Sequence, residues 1–252
     1  QMWKGDGEAE HASIASFARF TMQLMAVGAP PSLLLAAHKA GSEEITHAQL
    51  CYKLASRYSG QIVQPGVFPF PSDGVKVVTS SAEFSSATAQ EGCVEETVSC
   101  LEAMQALVEC TDPVVSHVLA AIVKDEAEHA VLAWRTVKWQ LNTEGKEENR
   151  SGFGQADDSS IHRAVEKAFE AAFDAAERHL SATDWQALED EEAALGWVRR
   201  YGRLPDVHSA RLRNSLALSF VRPLAHRLLN SGNFEASVDK VEIQFEPDGF
   251  AN

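Results

Sequence analysis

Apolar residues recur along this chain at three- and four-residue intervals over long stretches, the period of helices with one buried face. The first stretch runs from about Glu8 to Val27, where Ile14, Phe17, Thr21 and Leu24 share a face and Glu10 falls on it one turn earlier. Gly28-Ala29-Pro30-Pro31 stops that helix and opens the next, because proline is tolerated in a first turn. The second helix is expected over about Pro31 to Tyr58, with Leu33, Ala37, Glu44, His47, Cys51 and Leu54 along its stripe. So short a connection makes the two antiparallel neighbours.

Between Ser59 and about Ser80 the chain turns to Gly, Pro, Val and Phe, and its prolines exclude a helix. A third helix is expected from about Ala87 to Glu109, a break at Asp112-Pro113, and a fourth from Pro113 to about Leu141. Residues 142–160 are polar and Gly/Ser-rich, as in a linker. Beyond them Ile161, Val165, Ala168, Phe169, Ala172 and Phe173 form another stripe. Shorter helical patterns follow over Asp184–Tyr201 and Val207–Leu229, the last with Pro223 as a kink or break. The pattern predicts an all-α chain: a four-helix bundle with one long crossover over residues 1–143, a linker over 144–160, a helical extension packing on the bundle over 161–232, and a tail over 233–252.

Two of these helices carry the same polar insertion in an apolar face. Glu44 and His47 on the second, and Glu126 and His129 on the fourth, stand three residues apart, so each pair shares one side of its helix about one turn apart. Glu10 precedes Glu44 by 34 positions, and Glu91 precedes Glu126 by 35. Each hairpin thus offers a carboxylate followed by Glu-x-x-His, and folding the two together converges four carboxylates and two imidazoles. That is the ligand set of di-iron and di-manganese carboxylate bundles. The third helix is the least determined. Taking Val94, Val98, Leu101 and Val108 as its core direction at 100° per residue, Glu91 lies roughly 80° away and Glu95 roughly 120°. Glu91 is favoured as the ligand, with Glu95 as a second ligand or a supporting group; Glu96, Glu102 and Glu128 read as solvent-facing.

Charge balance, donor chemistry and composition add to this picture. Buried carboxylates cannot all stay ionised without cations, and four of them balance two divalent ions. Mixed oxygen and nitrogen donors suit iron or manganese, whereas a structural zinc site would more often use thiolates. The four cysteines have no CxxC spacing and read as free thiols of a reducing, cytoplasmic setting. A net charge of −14 argues against a nucleic-acid partner. No apolar run nears the roughly 18 residues of a membrane span, and no signal or transit segment is evident.

The strings EHASIASFARF, EEITHA, EGCVEET and KDEAEHAVLAW resemble the ferritin-like di-iron carboxylate superfamily over about residues 5–141. The resemblance is closest to bacterial-type ferritin-like domain proteins of unassigned role, and more distant to rubrerythrin and to demethoxyubiquinone and tRNA hydroxylases. It implies a ferritin-like bundle and a metal site of Glu10, Glu44, His47, Glu91, Glu95, Glu126 and His129. It further implies that Asp125 orients His47 and Glu43 orients His129, with Glu at the second where Asp is more usual. The expected cofactor is two iron ions, with manganese or a mixed pair allowed. The expected activity is oxidation or hydroxylation of a small organic substrate by dioxygen, with an electron donor and an oligomeric state both compatible. Residues such as Ile14, Phe17 and Ala40 would line the substrate pocket and the C-terminal helices would cap it. The alternatives are a ferroxidase, peroxide-scavenging or iron-handling protein, and a non-catalytic scaffold stabilised by metal. His11 reads as a supporting or surface group, and Cys51, Tyr52, Tyr58 and Trp134 as packing.

Overall fold

A computed structural model describes residues 2–72, 74–143 and 159–230, and every regular element among them is helical. Helix α1, Met2–Ala26, turns through Gly28 in the left-handed region (φ 73°) into α2, Pro31–Ser59. The two helices pack against each other as the short connection requires. Helix α1 begins six residues before the sequence pattern does, because Gly5 and Gly7 read as breakers. Burial overrides that preference: Trp3 is in the core, and a Cβ on Gly7 would meet the Tyr52 ring at 3.0 Å. Helix α2 ends at Gly60 (φ 68°), whose N–H donates to Ser56 O.

No helix occurs among described residues 61–80, in agreement with the expected crossover. The next rod starts at Ser80, whose hydroxyl accepts from Glu83 N, several residues earlier than expected. It comprises α3 (Ser81–Ala87), a π-helical stretch (Thr88–Glu96) and α4 (Thr97–Glu109), joined without a break. Asp112 Oδ1 then accepts from Val114 N and Val115 N to start α5, Pro113–Thr143.

Each of these four rods buries apolar residues at both ends and polar ones between. Trp3, Cys51, Leu54, Ala106, Leu119 and Ile122 belong to one apolar cluster. Leu24, Leu33, Ala37, Ala40, Phe84 and Leu132 belong to another. Glu10, Glu44, His47, Glu126 and His129 fall in the interval on every rod that contributes them. The polar groups therefore share one layer, walled by hydrocarbon above and below.

Helices α6 (Ser159–Ala182), α7 (Trp185–Glu192), α8 (Asp206–Leu216) and α9 (Arg222–Asn230) complete the described chain, with a 3₁₀ stretch Ala193–Tyr201 and a π stretch Ala217–Val221 between them. Pro223 does not break the chain: it follows the π stretch Ala217–Val221 directly, inside a rod that is helical from Asp206 to Asn230, and the wide turn before it is the local departure from the α-helix there. The stripe on α6 packs on α5: Phe169 stacks on Trp134 with ring centroids 5.7 Å apart, and Val165, Phe173, Val221 and Leu228 join the same cluster. Arg213 on α8 binds Glu95 and Glu102, Arg203 binds Asp6, and Arg222 binds Glu177. Gly202 (φ 65°) packs so close to α5 that a Cβ would fall 2.5 Å from Leu119 Cδ1. Most of the expected linker, and the tail, lie outside the described residues. Among the described residues no helix is long and apolar enough to cross a membrane.

Candidate metal centre

The polar layer brings together side chains from all four rods. Glu10 (α1), Glu44 and His47 (α2) and Glu126 (α5) each offer a donor atom within 4.8 Å of the others, and so do Glu96 (π stretch), Glu126 and His129 (α5). Two carboxylates reach both groups. Glu126 Oε1 lies 3.3 Å from His47 Nδ1 and its Oε2 3.6 Å from His129 Nδ1. Glu44 belongs to the first group, and its Oε1 lies 3.1 Å from His129 Nδ1. Glu10 Oε2 stands 3.6 Å from His47 Nδ1, on the outer side of the first group.

Both imidazoles face inward with Nδ1 and outward with Nε2. His47 Nε2 lies 3.2 Å from Asp125 Oδ2, and His129 Nε2 lies 3.1 Å from Glu43 Oε2. These are the outer partners that the resemblance implies. A proton on Nε2, held by a carboxylate, leaves the Nδ1 lone pair aimed at the site. Phe17 closes the layer from α1, its ring edge-on to His129 at 5.0 Å. Lys39 bridges Glu43 and Glu128, tying α2 to α5 beside the outer partner of His129.

Glu10, Glu44, His47, Glu126 and His129 therefore meet where the sequence expects a site. Glu91 and Glu95 do not. Glu91 is exposed and bound to Arg19 at 2.8 Å, and Glu95 is exposed and bound to Arg213 at 2.6 Å. The carboxylate of this rod that enters the layer is Glu96, which the sequence pattern assigns to solvent. Two things turned the reading. Val94 and Val98, used to define the core direction, pack in the cluster shared with Val165, Phe169 and Val221 of the C-terminal helices, not in the polar layer. Residues 88–96 form a π-helix, whose i→i+5 bonds advance the chain less per residue than the assumed 100°. A sequence signal existed nonetheless: Cys93 and Cys100 are buried, and Glu96 lies three residues after one and four before the other, on their stripe. Glu128 is exposed as expected, Glu102 is held by Arg213 and Ser209, and His11 packs edge-on against Phe68.

The electrostatics are those of a site that wants cations. Burial pushes the Glu44 carboxyl up to about 8, with Glu10 and Glu126 adding repulsion. Burial and the neighbouring Glu126 do the same to Glu96, also to about 8. Burial would raise Glu126 as well, but hydrogen bonding and charge from His129 and His47 bring it down to about 2. Burial opposes charge on the imidazoles, yet the carboxylates around them raise His47 to about 11 and His129 to about 10. Three buried atoms aimed into the layer have no aligned hydrogen-bond partner: Glu44 Oε2, His47 Nδ1 and His129 Nδ1. Polar atoms left without an aligned partner at this depth are costly, and the cost is relieved by protons shared among these groups or by a cation in their place. The donor set, two imidazoles and four carboxylates of which two are within reach of both halves, thus fits a pair of divalent ions.

A cavity of about 380 Å³ opens onto this layer between α1, the π stretch and α5, and reaches both Glu96 and His129. Phe17 lines it, as expected; Ile14 instead faces a space under the crossover, and Ala40 a second cavity of about 690 Å³ between α2, α4 and α5 that also reaches His129. The C-terminal helices line that second cavity through Phe220, Leu224 and Arg227, and do not line the first. No family model, curated protein or solved structure matches this chain.

Proposed function

We propose that this chain is a ferritin-like four-helix bundle holding two iron ions, with manganese or a mixed pair as the alternative filling, and that it uses them with dioxygen to hydroxylate or otherwise oxidise a small organic molecule. The observation that carries the reading is the convergence of Glu10, Glu44, Glu96, Glu126, His47 and His129, with both imidazole Nδ1 atoms and Glu44 Oε2 turned inward and unpartnered. One ion would be held by Glu10 and His47, the other by Glu96 and His129, with Glu44 and Glu126 available to both. A ferrous pair held there would supply two of the four electrons that reduce dioxygen, to be restored by an external donor; with two protons and the two electrons of the C–H bond, one oxygen atom would end in the product and the other in water.

The chain's own residues supply the setting. Asp125 and Glu43 hold the Nε2 protons of His47 and His129, which keeps Nδ1 free for a metal and fixes each ring. Phe17 and Leu132 exclude bulk water on the cavity side, which strengthens every charge interaction inside. Glu44 and Glu96, easily protonated without metal, can change their mode of contact as charge in the layer changes. The cavity favours an organic substrate over bare iron handling, since a pocket of this size beside Glu96 exceeds what an ion needs to pass.

The test is metal analysis of the purified chain followed by anaerobic ferrous loading and exposure to air. Two ions per chain and a transient visible absorption are expected in the wild type, with Glu44→Ala and Glu126→Ala losing metal while staying helical. Unfolding of both variants would favour a metal-stabilised scaffold. Intact metal that gives no oxygen-dependent spectral change counts against the oxidase reading. Assembly into a large hollow shell would favour iron storage.

A further inference from the structure

Five residues, one π turn, separate Glu96 at the inner end of the cavity from Glu91 at its mouth, so both edge the same space. The walls between them are hydrocarbon: Phe17 and Phe20 from α1, Leu132 and Ala133 from α5. Of the hydroxyls there, Ser13 already donates to Ala9 O and Thr88 to Phe84 O. Arg19 is the only Lys or Arg in the lining among the described residues. Its Nη2 binds Glu91, and its Nη1 and Nε donors have no protein partner among the described residues. The carboxylates of the lining each have one partner: Glu91 Oε2 is held by Arg19, Glu95 Oε2 by Arg213, and Glu96 by the polar layer, while Ser16 and Gln23 add neutral polar groups. Arg19 is thus the one cationic group of the lining with donors to spare among the described residues.

We propose that this cavity binds a small, mainly apolar molecule bearing one carboxylate, and that Arg19 is the residue that selects it. The inference rests on the metal reading only for what happens at the inner end of the cavity. A planar guanidinium with free donors matches a carboxylate in two parallel hydrogen bonds, which an ammonium or a neutral amide could not accept. The Arg19–Glu91 pair is exposed on both sides and hence weak, so an incoming carboxylate can share or replace Glu91. Arg19 stands nine residues past Glu10 on α1, about 13 Å along the helix axis, and its side chain leans back toward the helix N-terminus. That span, within a cavity at the small end of ligand pockets, suits one ring or a short chain, with the carboxylate at the mouth and the far end beside Glu96 and His129.

The probes are 3-phenylpropanoate, its primary amide and 3-phenylpropylamine, titrated calorimetrically into the full chain, metal-free and ferrous-loaded under anaerobic conditions. The carboxylate is expected to bind at least tenfold more tightly than the other two in both forms. Arg19→Gln should erase that preference without weakening the amide, Arg19→Lys should keep part of it, and Glu91→Gln should tighten the carboxylate by freeing Arg19. Equal binding of the three probes, failure of all three to bind, or a preference unmoved by Arg19→Gln overturns the inference. Preference for the amine that disappears in Glu91→Gln assigns the mouth to Glu91 and a cationic ligand instead. A carboxylate preference confined to the ferrous-loaded form assigns it to the metal and likewise removes Arg19 from the role. Two ions per chain with oxygen-dependent chemistry but no carboxylate preference defeats only this inference; the preference without any metal binding defeats only the metal reading.

Discussion

Glu96 decides the second half of the proposed centre. It lies with Glu126 and His129 within 4.8 Å, whereas Glu91 and Glu95 are bound by surface arginines. Glu96→Gln keeps the shape and removes the charge, so metal analysis is expected to fall from two ions toward one per chain. Glu91→Gln should leave the count at two; a loss there equal to that of Glu96→Gln would overturn the assignment. The contrast shows which residues could be read in advance. Glu44/His47 and Glu126/His129 are legible because three residues on a regular helix fix their common face whatever surrounds them. The helix-3 ligand depends instead on the absolute phase of a rod, which no local pair reports. Val94 and Val98 pointed the phase toward the C-terminal helices, on which they pack, and away from the polar layer. Asp125 and Glu43 were legible only through resemblance, since nothing in spacing alone says that a carboxylate will meet a ring on the opposite rod.

At the level of elements, the π stretch Thr88–Glu96 is what the helical period could not anticipate. Its position has a packing cause: Gly92 lies against α5 so closely that a Cβ would sit 2.5 Å from Ala133 Cβ. Two small residues facing each other let the rods approach, and the wide turn carries Glu96 inward while Glu91 stays at the cavity mouth. Gly92→Ala must therefore push the rods apart or shift the stretch. A cost of about 1–3 kcal/mol, the usual range for overpacking, should appear in denaturant unfolding, together with weaker metal binding in the half that uses Glu96. Ala133→Gly in the same chain restores the space, so the double variant should recover most of both losses. Recovery of neither would mean that the contact is not what sets the position of Glu96. The early start of α3 has a similarly local cause in the Ser80 cap, and the extended start of α1 a tertiary one in buried Trp3.

Across the whole molecule, the helices after the expected linker are not a separate body. Phe169, Val165 and Val221 share one apolar cluster with Trp134, Val98 and Cys93, so the rods carrying Glu96, Glu126 and His129 are braced from outside by α6 and the π stretch before α9. Phe169→Ala opens a cavity in that cluster and is expected to cost about 3–5 kcal/mol, read as one cooperative unfolding transition. Two separate transitions would instead make the C-terminal helices an independent unit. The same integration makes the polar layer a determinant of global stability, with a definite pH dependence in the metal-free chain. Glu44 and Glu96 hold protons up to about 8 when folded, against 4.5 as a reference, so the stability they contribute is complete below 4.5 and lost as pH rises through 8. His47 and His129 act in the same direction, their contribution complete below 6.5 and lost as pH rises toward about 10 and 11. Glu126 runs oppositely, but only between 4.5 and about 2, below the working range. The metal-free protein should accordingly melt at progressively lower temperature from pH 5 to pH 9. Under the proposed function divalent ions would replace those protons, and their binding would strengthen as the ligands deprotonate. Ferrous or manganous ion should therefore raise the melting temperature more at pH 8 than at pH 6. A metal-free melting temperature that stays level or climbs between pH 5 and pH 8 would mean that these five side chains do not share the buried layer described above.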